Sequence, residues 1–258
     1  MAARWDDPAQ DWAGYAAVVP RSCWDYHQRA AEFERWLDGL ERAGARVVNP
    51  VPTLRWNMRK TYLRDLGARG VPVVSTVWAS QGSAATLRGI ADAHGWAEMV
   101  VKPVVSASAH ETWRAARADL ARLEERFGAE LAMRDLMVQP FLPGFTREGE
   151  LSCVFLAGAF SHAVRKRPKP GDFRVQEEHG GSVAPDAAPP DLVRLAASAV
   201  AAAPSPPVYA RVDTVATDRG PLVTELELIE PALYFGMGRG AAETLAAALE
   251  AAVRDERS

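Results

Sequence analysis

The chain has 258 residues, enough for one large domain or two small ones, and its 30 basic residues against 33 acidic give a formal net charge of −3. That balance carries no electrostatic footprint for nucleic acid, and no apolar run reaches the length of a membrane span. The opening MAARWDDPAQDW does not read as a secretory signal, and Cys23 and Cys153 form neither a CxxC nor a zinc pattern, so a reducing cytoplasm is expected.

The first predicted element is a short apolar strand over residues 15–19, running into Arg21, Ser22, Cys23, Trp24, Asp25 and Tyr26. Phe33, Trp36, Leu37 and Leu40 then have the i, i+3, i+4, i+7 spacing of a helix, with Gly44 as its stop. A brief strand over 46–48 ends at Asn49-Pro50. The next predicted helix carries Lys60, Tyr62, Leu63 and Leu66, and a strand follows over 71–77. A helix over 87–94 stops at Gly95, and a buried strand over 99–103 contains Lys102. Ser106, Ala107, Ser108 and Ala109 form a small-residue link. Trp113, Leu120, Leu123 and Phe127 predict another helix, and residues 136–139 a strand ended by Pro140 and Pro143. Two strands, 151–156 and 160–166, turn about Gly158. Residues 167–190 have no periodicity and read as a long loop, either functional or disordered. Helices over 191–203 and 241–254 bracket the last strands. This alternation indicates α/β architecture. Gly236, Gly238 and Gly240 do not follow a strand into a βαβ unit, so no dinucleotide fingerprint is read there. The five histidines show no metal-ligand spacing.

Residues 208–231 read VYARVDTVATDRGPLVTELELIEP. Runs over 209–216 and 222–229 flank Asp218, Arg219 and Gly220, which predicts a hairpin with a three-residue loop. That loop pairs Asp213 with Glu225 and Arg211 with Glu227, and the strand period of two puts all four on one face. Opposed carboxylates lie about 5 Å apart and repel unless a cation separates them. Neutralising one should then hold or raise the stability of the metal-free chain. Such a face suits Mg²⁺, which prefers oxygen ligands and recruits phosphates. A surface Arg211–Glu227 ion pair, with Asp213 and Glu225 merely solvated, fits the same spacing.

The order of motifs resembles a family. RSCWDY, NPVPTLRWNMRKTYL, VVKPVVSASA, QPFLPGFTREGELS, FSHAVRKRPKPGDFRVQ and YARVDTV stand in the order found in the ATP-grasp ligases, such as glutathione synthetase and D-alanine–D-alanine ligase. Among these the sequence looks most like the group containing the O-ureido-D-serine cyclo-ligase of cycloserine biosynthesis. The resemblance implies an α/β and α+β fold. Its N-terminal lobe (1–78) is shortened and expected to lack its first strand and helix. An ATP-grasp domain (79–258) follows, with a middle lobe (79–142) and a C-terminal lobe (143–258). Without that first strand and helix, apolar surface near Val18 and Phe33 should be left uncovered, and self-association is expected.

The resemblance also implies roles. Lys60 and Lys102 would grip ATP phosphates as compact charges; taken alone they read as solvated strand and helix ends, the commoner fate of a lone lysine. Ser106 to Ala109, including Ser108, would fold over the phosphates, although the usual glycines are absent. Gln139, Phe141 and Leu142 belong to the hinge whose backbone reads adenine. Glu150 would accept ribose hydroxyls, and Lys166 would reach the phosphates unless it belongs to a solubilising run with Arg165 and Arg167. Asp213, Glu225 and Glu227 would hold Mg²⁺. Many relatives place asparagine where Glu227 stands, which leaves Glu230 as an alternative. Arg211 would stabilise a developing oxyanion, and Arg174 would hold the acyl phosphate or substrate carboxylate. Arg21, Asp25 and Tyr26 would touch substrate; the alternative is a packed corner with Trp24 in the core.

The implied reaction is ATP-dependent amide formation through an acyl phosphate, using a small carboxylate and an amine, within one molecule or between two, in a monomer or homodimer. Rivals are a small-molecule kinase with the same ATP site and a non-catalytic nucleotide-binding protein. A metal nuclease is weaker, because the chain is not basic.

Overall fold

The computed structural model describes residues 1–175 and 177–254. Gln176 of the long loop and residues 255–258 of the expected C-terminal lobe lie outside them. The N-terminal part holds α1 (Ala30–Arg42), α2 (Val51–Met58) and α3 (Tyr62–Ala68). Phe33, Leu37 and Leu40 lie on one stripe of α1 and are fully buried, as their spacing requires. The two expected strands around residues 15–19 and 46–48 are reduced to one parallel bridge, Val18 to Val47. Residues near the start nevertheless close the core: Trp5 packs edge-on against Phe33 at 5.4 Å, and Trp12 against Trp36 at 5.6 Å. Phe33 is 0% exposed and Val18 8%, so the surface expected to be bare is covered.

The second unit comprises β1 (Val77–Ala79), α4 (Leu87–His94), β2 (Glu98–Pro103), β3 (Trp113–Ala116), α5 (Leu120–Met133) and β4 (Leu136–Pro140). Its sheet runs β1-β4-β2-β3, antiparallel throughout. Met99, Val101, Leu136 and Val138 face α4 and α5, leaving Val100, Lys102 and Gln139 on the opposite face. Trp113 opens β3 rather than the following helix. Its pairing with Val101 outweighs a helical spacing that its neighbours Leu120 and Leu123 satisfy without it.

The third unit contains α6 (Gly144–Arg147), β5 (Glu150–Leu156), β6 (Ala159–Arg167), β7 (Ser182–Asp186), α7 (Pro190–Ala201), β8 (Tyr209–Val215), β9 (Leu222–Glu227) and α8 (Ala241–Arg254). Its antiparallel sheet has the order β7-β6-β5-β8-β9. The edge strand β7 lies within the stretch expected to be unstructured. Its burial is low and its run short, so it carries no apolar pattern to read. Leu151, Cys153, Ala163, Val212 and Leu226 pack on one face with α3 and α7, and α8 covers the far end of the other through Leu245. The strand expected at residues 71–77 is split: Val73 bridges to Val223, while Val77 begins β1.

Candidate functional site

The uncovered faces of the two antiparallel sheets bound a cleft of about 290 Å³. On β8, Ala210 and Val212 enter the core while Arg211 and Asp213 face the cleft. Asp213 pairs with Glu225 and Arg211 with Glu227, as the spacing predicts, but by another route. The connection is longer than three residues, and Thr214 and Val215 pair with Val223 and Leu222. A bulge at Thr224 absorbs the difference. Thr224 and Glu225 consequently both line the cleft, and Thr224 donates to Glu150 at 3.1 Å.

Oxygens of Asp213, Glu225 and Glu227 lie within 4.8 Å of one another. Mg²⁺ binds oxygen at about 2.1 Å, which sets opposite ligands about 4.2 Å apart, so these donors need little movement to share an ion. Cations of the chain itself already stand against them. Asp213 accepts from Arg211 at 2.9 and 3.0 Å, from Lys166 at 2.8 Å and from Ser152 at 2.6 Å. Lys166 also pairs with Glu150, Lys60 with Glu225, and Arg211 with Glu227. Burial pushes the Asp213 carboxyl upward, but Arg211 and Lys166 outweigh it and hold it below the usual range. Burial raises Glu227 to about 7, with Arg211 only partly offsetting it. The picture of a bare, self-repelling acidic face is therefore corrected: Asp213 is 1% exposed and fully partnered.

Gly149 lets β5 approach β6 so closely. Its φ is +83°, and a Cβ there would stand 2.3 Å from the Lys166 carbonyl oxygen. This sets Glu150 directly opposite Lys166. Glu150 is thus buried between Lys166 and Thr224 at the edge of the cleft.

Lys60 does not sit within a helix. The helix breaks at Arg59, and the Lys60 N–H donates to the Val104 carbonyl at 2.8 Å, bringing its ammonium to Glu225. Lys102, on β2, lines the cleft; burial and the nearby Lys60 charge bring its pKa down to about 8. Ser106, Ser108 and Ala109 line the same cleft, with the Ser106 hydroxyl donating to the Pro103 carbonyl. Ser108 and Ala109 have φ of 50° and 53°, the left-handed conformation for which glycine is the usual residue. Gln139 and Leu142 line the cleft too. The Phe141 N–H is taken by the Glu98 carbonyl, and the Phe141 ring lies against Arg114 and Phe173. Arg174 lines the cleft while donating to Asp172 at 2.8 Å.

The residues expected to touch substrate divide. Tyr26 is in the N-terminal core. Asp25 accepts from the Trp5 indole at 2.9 Å, and Arg21 donates to the Pro231 carbonyl at 2.6 Å. Arg21 and Asp25 line a separate cavity of about 780 Å³ beside Trp12, Trp36 and Leu249. Trp24, assigned to the core in the alternative reading, is instead 51% exposed and lines the main cleft. Thr224 and Tyr234 also line it. A bulge at Thr224 and a left-handed backbone at Tyr234 (φ 47°) left no local signal by which to find them.

Residues 1–49 match the family model described as the N-terminal domain of D-cycloserine synthetase DcsG. The chain is 33% identical to the cycloserine biosynthesis protein DcsG of Streptomyces lavendulae, over 95% of this chain and 86% of the relative. The crystal structure of D-cycloserine synthetase DcsG superposes with a TM-score of 0.89 at 32% identity, covering 97% of this chain and 88% of that one. D-alanine–D-alanine ligase from Bacillus anthracis complexed with ATP gives 0.65 at 16% identity, over 89% and 82% of the two chains. The ATP-grasp ligase PsnB, complexed with minimal precursor, Mg and ADP, gives 0.62 at 18%, over 93% and 78%. At such identities the last two share the fold alone.

Proposed function

This chain belongs to the D-cycloserine synthetase family of ATP-grasp ligases, and from that membership we propose that it closes an amide bond on a small amino-acid-like acid through an acyl phosphate. It is an ATP-dependent C–N ligase that uses Mg²⁺. The observation that carries the site assignment is the cluster of Asp213, Glu225 and Glu227 on the floor of a lysine-lined cleft.

In this reading Asp213, Glu225 and Glu227 hold Mg²⁺, which when bound neutralises phosphate charge. Lys60 and Lys102 would take the nucleotide phosphates, Lys60 exchanging its present pairing with Glu225 for them. Lys166 stays on Glu150 and Asp213 and keeps the metal-binding carboxylate in place. Gln139 and Leu142 border the adenine. A substrate carboxylate attacks the γ-phosphorus, giving an acyl phosphate and ADP. A nitrogen then attacks the acyl carbon, and phosphate leaves with the C–O bond pair. Arg211 faces the oxyanion of that step, and Arg174 the transferred phosphate. Positioning and charge neutralisation suffice, with no covalent nucleophile of the protein. Ring closure within one molecule is the form the family membership favours.

No helix among the described residues is long and apolar enough to cross a membrane. Free, buried Cys23 and Cys153 support a reducing cytoplasm as the working compartment. The reading takes the substrate from small molecules and allows a homodimer, which sedimentation velocity checks.

The experiment is ADP release across a panel of amino-acid-like carboxylates with MgATP, with and without hydroxylamine. Acid-dependent ADP release with hydroxamate formation is the expected result. A phosphorylated alcohol and no hydroxamate would make the protein a kinase instead.

A further inference from the structure

The charged side chains on the cleft floor largely neutralise one another. Lys60 is taken by Glu225, Lys166 by Glu150 and Asp213, and Arg211 by Asp213 and Glu227. Lys102 and Glu230 have neither a hydrogen bond nor an ion pair from their side chains among the described residues. A nucleotide phosphate accounts for Lys102. Nothing in the steps above accounts for Glu230.

Glu230 is 7% exposed, and what it exposes lines both the cleft and a small recess behind it bordered by Tyr26, Asn57 and Met58. It lies three residues beyond the end of β9 and outside the group of carboxylates whose oxygens converge. Trp24 stands beside it: the indole N–H donates to the Glu230 carbonyl at 3.3 Å, while the half-exposed ring lines the same cleft. Burial, then the Glu227 charge, raises the Glu230 carboxyl well above the ordinary range. A buried carboxyl of this kind keeps its proton or awaits a cation.

We propose that Glu230 and the indole of Trp24 form the subsite that receives the protonated amino group of the acid substrate. The proposal rests on the ligase reading above and adds to it the residues that hold the amino group. A second hard metal would need several oxygens converging on it. A buried carboxylate and an exposed indole lining the same cleft instead match an ammonium, which gains from both. Glu227 and the Arg211 and Arg21 guanidiniums are the charges around Glu230, with Arg211 and Glu227 lining the same cleft. The subsite therefore borders the residues assigned to the reacting acyl group, as an α-amino acid requires, since its amino and carboxyl groups share one carbon.

The test is calorimetric. Wild type and Glu230→Gln are saturated with MgADP, then titrated with D-cycloserine and with isoxazolidin-3-one, the same ring without its amino group. Wild type should prefer D-cycloserine. Glu230→Gln should lose about 10- to 100-fold on D-cycloserine, the scale of a charge-assisted hydrogen bond, and nothing on the desamino ring. Its MgADP affinity should stay within about threefold, which shows an intact cleft. Trp24→Ala should show a smaller loss with the same selectivity. Equal wild-type affinity for the two rings, binding of neither, or the same loss on both in Glu230→Gln overturns the proposal; if Glu230→Gln fails to fold, Trp24→Ala decides, and an equal loss on both rings there overturns it. Failure of wild type to bind MgADP overturns the ligase reading itself, and the subsite with it.

Discussion

Lys166 Nζ lies 2.8 Å from Asp213 Oδ2, with side-chain exposures of 5% and 1%. The pair is buried in the sheet, and Arg211 closes the other side of the same carboxylate. Asp213 therefore does two things: it offers an oxygen to the metal cluster, and it neutralises two buried cations.

From this we expect Asp213→Asn to abolish turnover and also to destabilise the metal-free protein, by about 3 kcal/mol, because Lys166 and Arg211 lose a buried counter-charge. Melting should fall by roughly 6–10 °C. The hairpin taken alone predicts the opposite sign. Calorimetry of the metal-free variant decides between them, and an unchanged or raised melting temperature would reject the buried-pair account.

Glu225→Gln should behave differently. The Glu225 side chain is 26% exposed and its ion-pair partner, Lys60, borders the open cleft. Melting should fall by about 2–4 °C, less than for Asp213→Asn, because Lys60 is buried and loses its counter-charge but borders the cleft water. Mg²⁺-dependent ATP affinity should drop at least about 10-fold with the loss of one charged ligand. Titration with ATP at fixed Mg²⁺ measures it.

Lys102 gives a pH prediction. Its pKa of about 8 in the folded chain lies below the ordinary 10.5. Between those values the unfolded chain holds a proton that the folded chain lacks, so this contribution to stability rises with pH. Below pH 8 the full cost of burying the charge is present. Lys102→Met should accordingly stabilise the nucleotide-free protein at pH 7 by at most about 3 kcal/mol, less whatever cleft water screens. The gain should vanish towards pH 10.5. Urea melts at several pH values follow this, and ATP affinity should fall at least about 10-fold at pH 7 and by progressively less above pH 8, where wild-type Lys102 itself sheds its charge.

Arg174 is held towards the cleft by Asp172, whose carboxyl it keeps well below the usual range. Arg174→Ala should lower the single-turnover rate by about 100-fold, the scale of removing one oxyanion donor, with ATP affinity changed less than about threefold. Collapse of ATP affinity with an intact chemical step would reassign the residue to nucleotide binding.

Much of this protein can be read locally. The period of two along β8 puts Arg211 and Asp213 on one face, and Leu87 to His94 form a helix stopped by Gly95 because a left-handed glycine ends it there. The carboxylates of ELE and the lysine of VVKP declare their chemistry by residue type. What the local pattern misses are the breaks. Arg59 adopts extended geometry because Lys60 bonds to Val104, a residue forty-four positions away in sequence, and Trp113 joins a strand because Val101 is there to pair with it.

The sequence by itself determined the chemistry of the cleft: which side chains carry charge, which strands alternate, and where a helix stops at a left-handed glycine, since each depends on neighbours within a few residues. Only the tertiary structure decided which charges meet. Lys60 reaches Glu225 across 165 positions, and Trp24 reaches Glu230 across 206. Such contacts depend on how two sheets and a crossing segment pack, and no local period encodes that. Packing also decided the sign of the electrostatics. It surrounds Asp213 with two cations and leaves Glu230 with none within ion-pair distance among the described residues, although both are acidic residues of the same hairpin region.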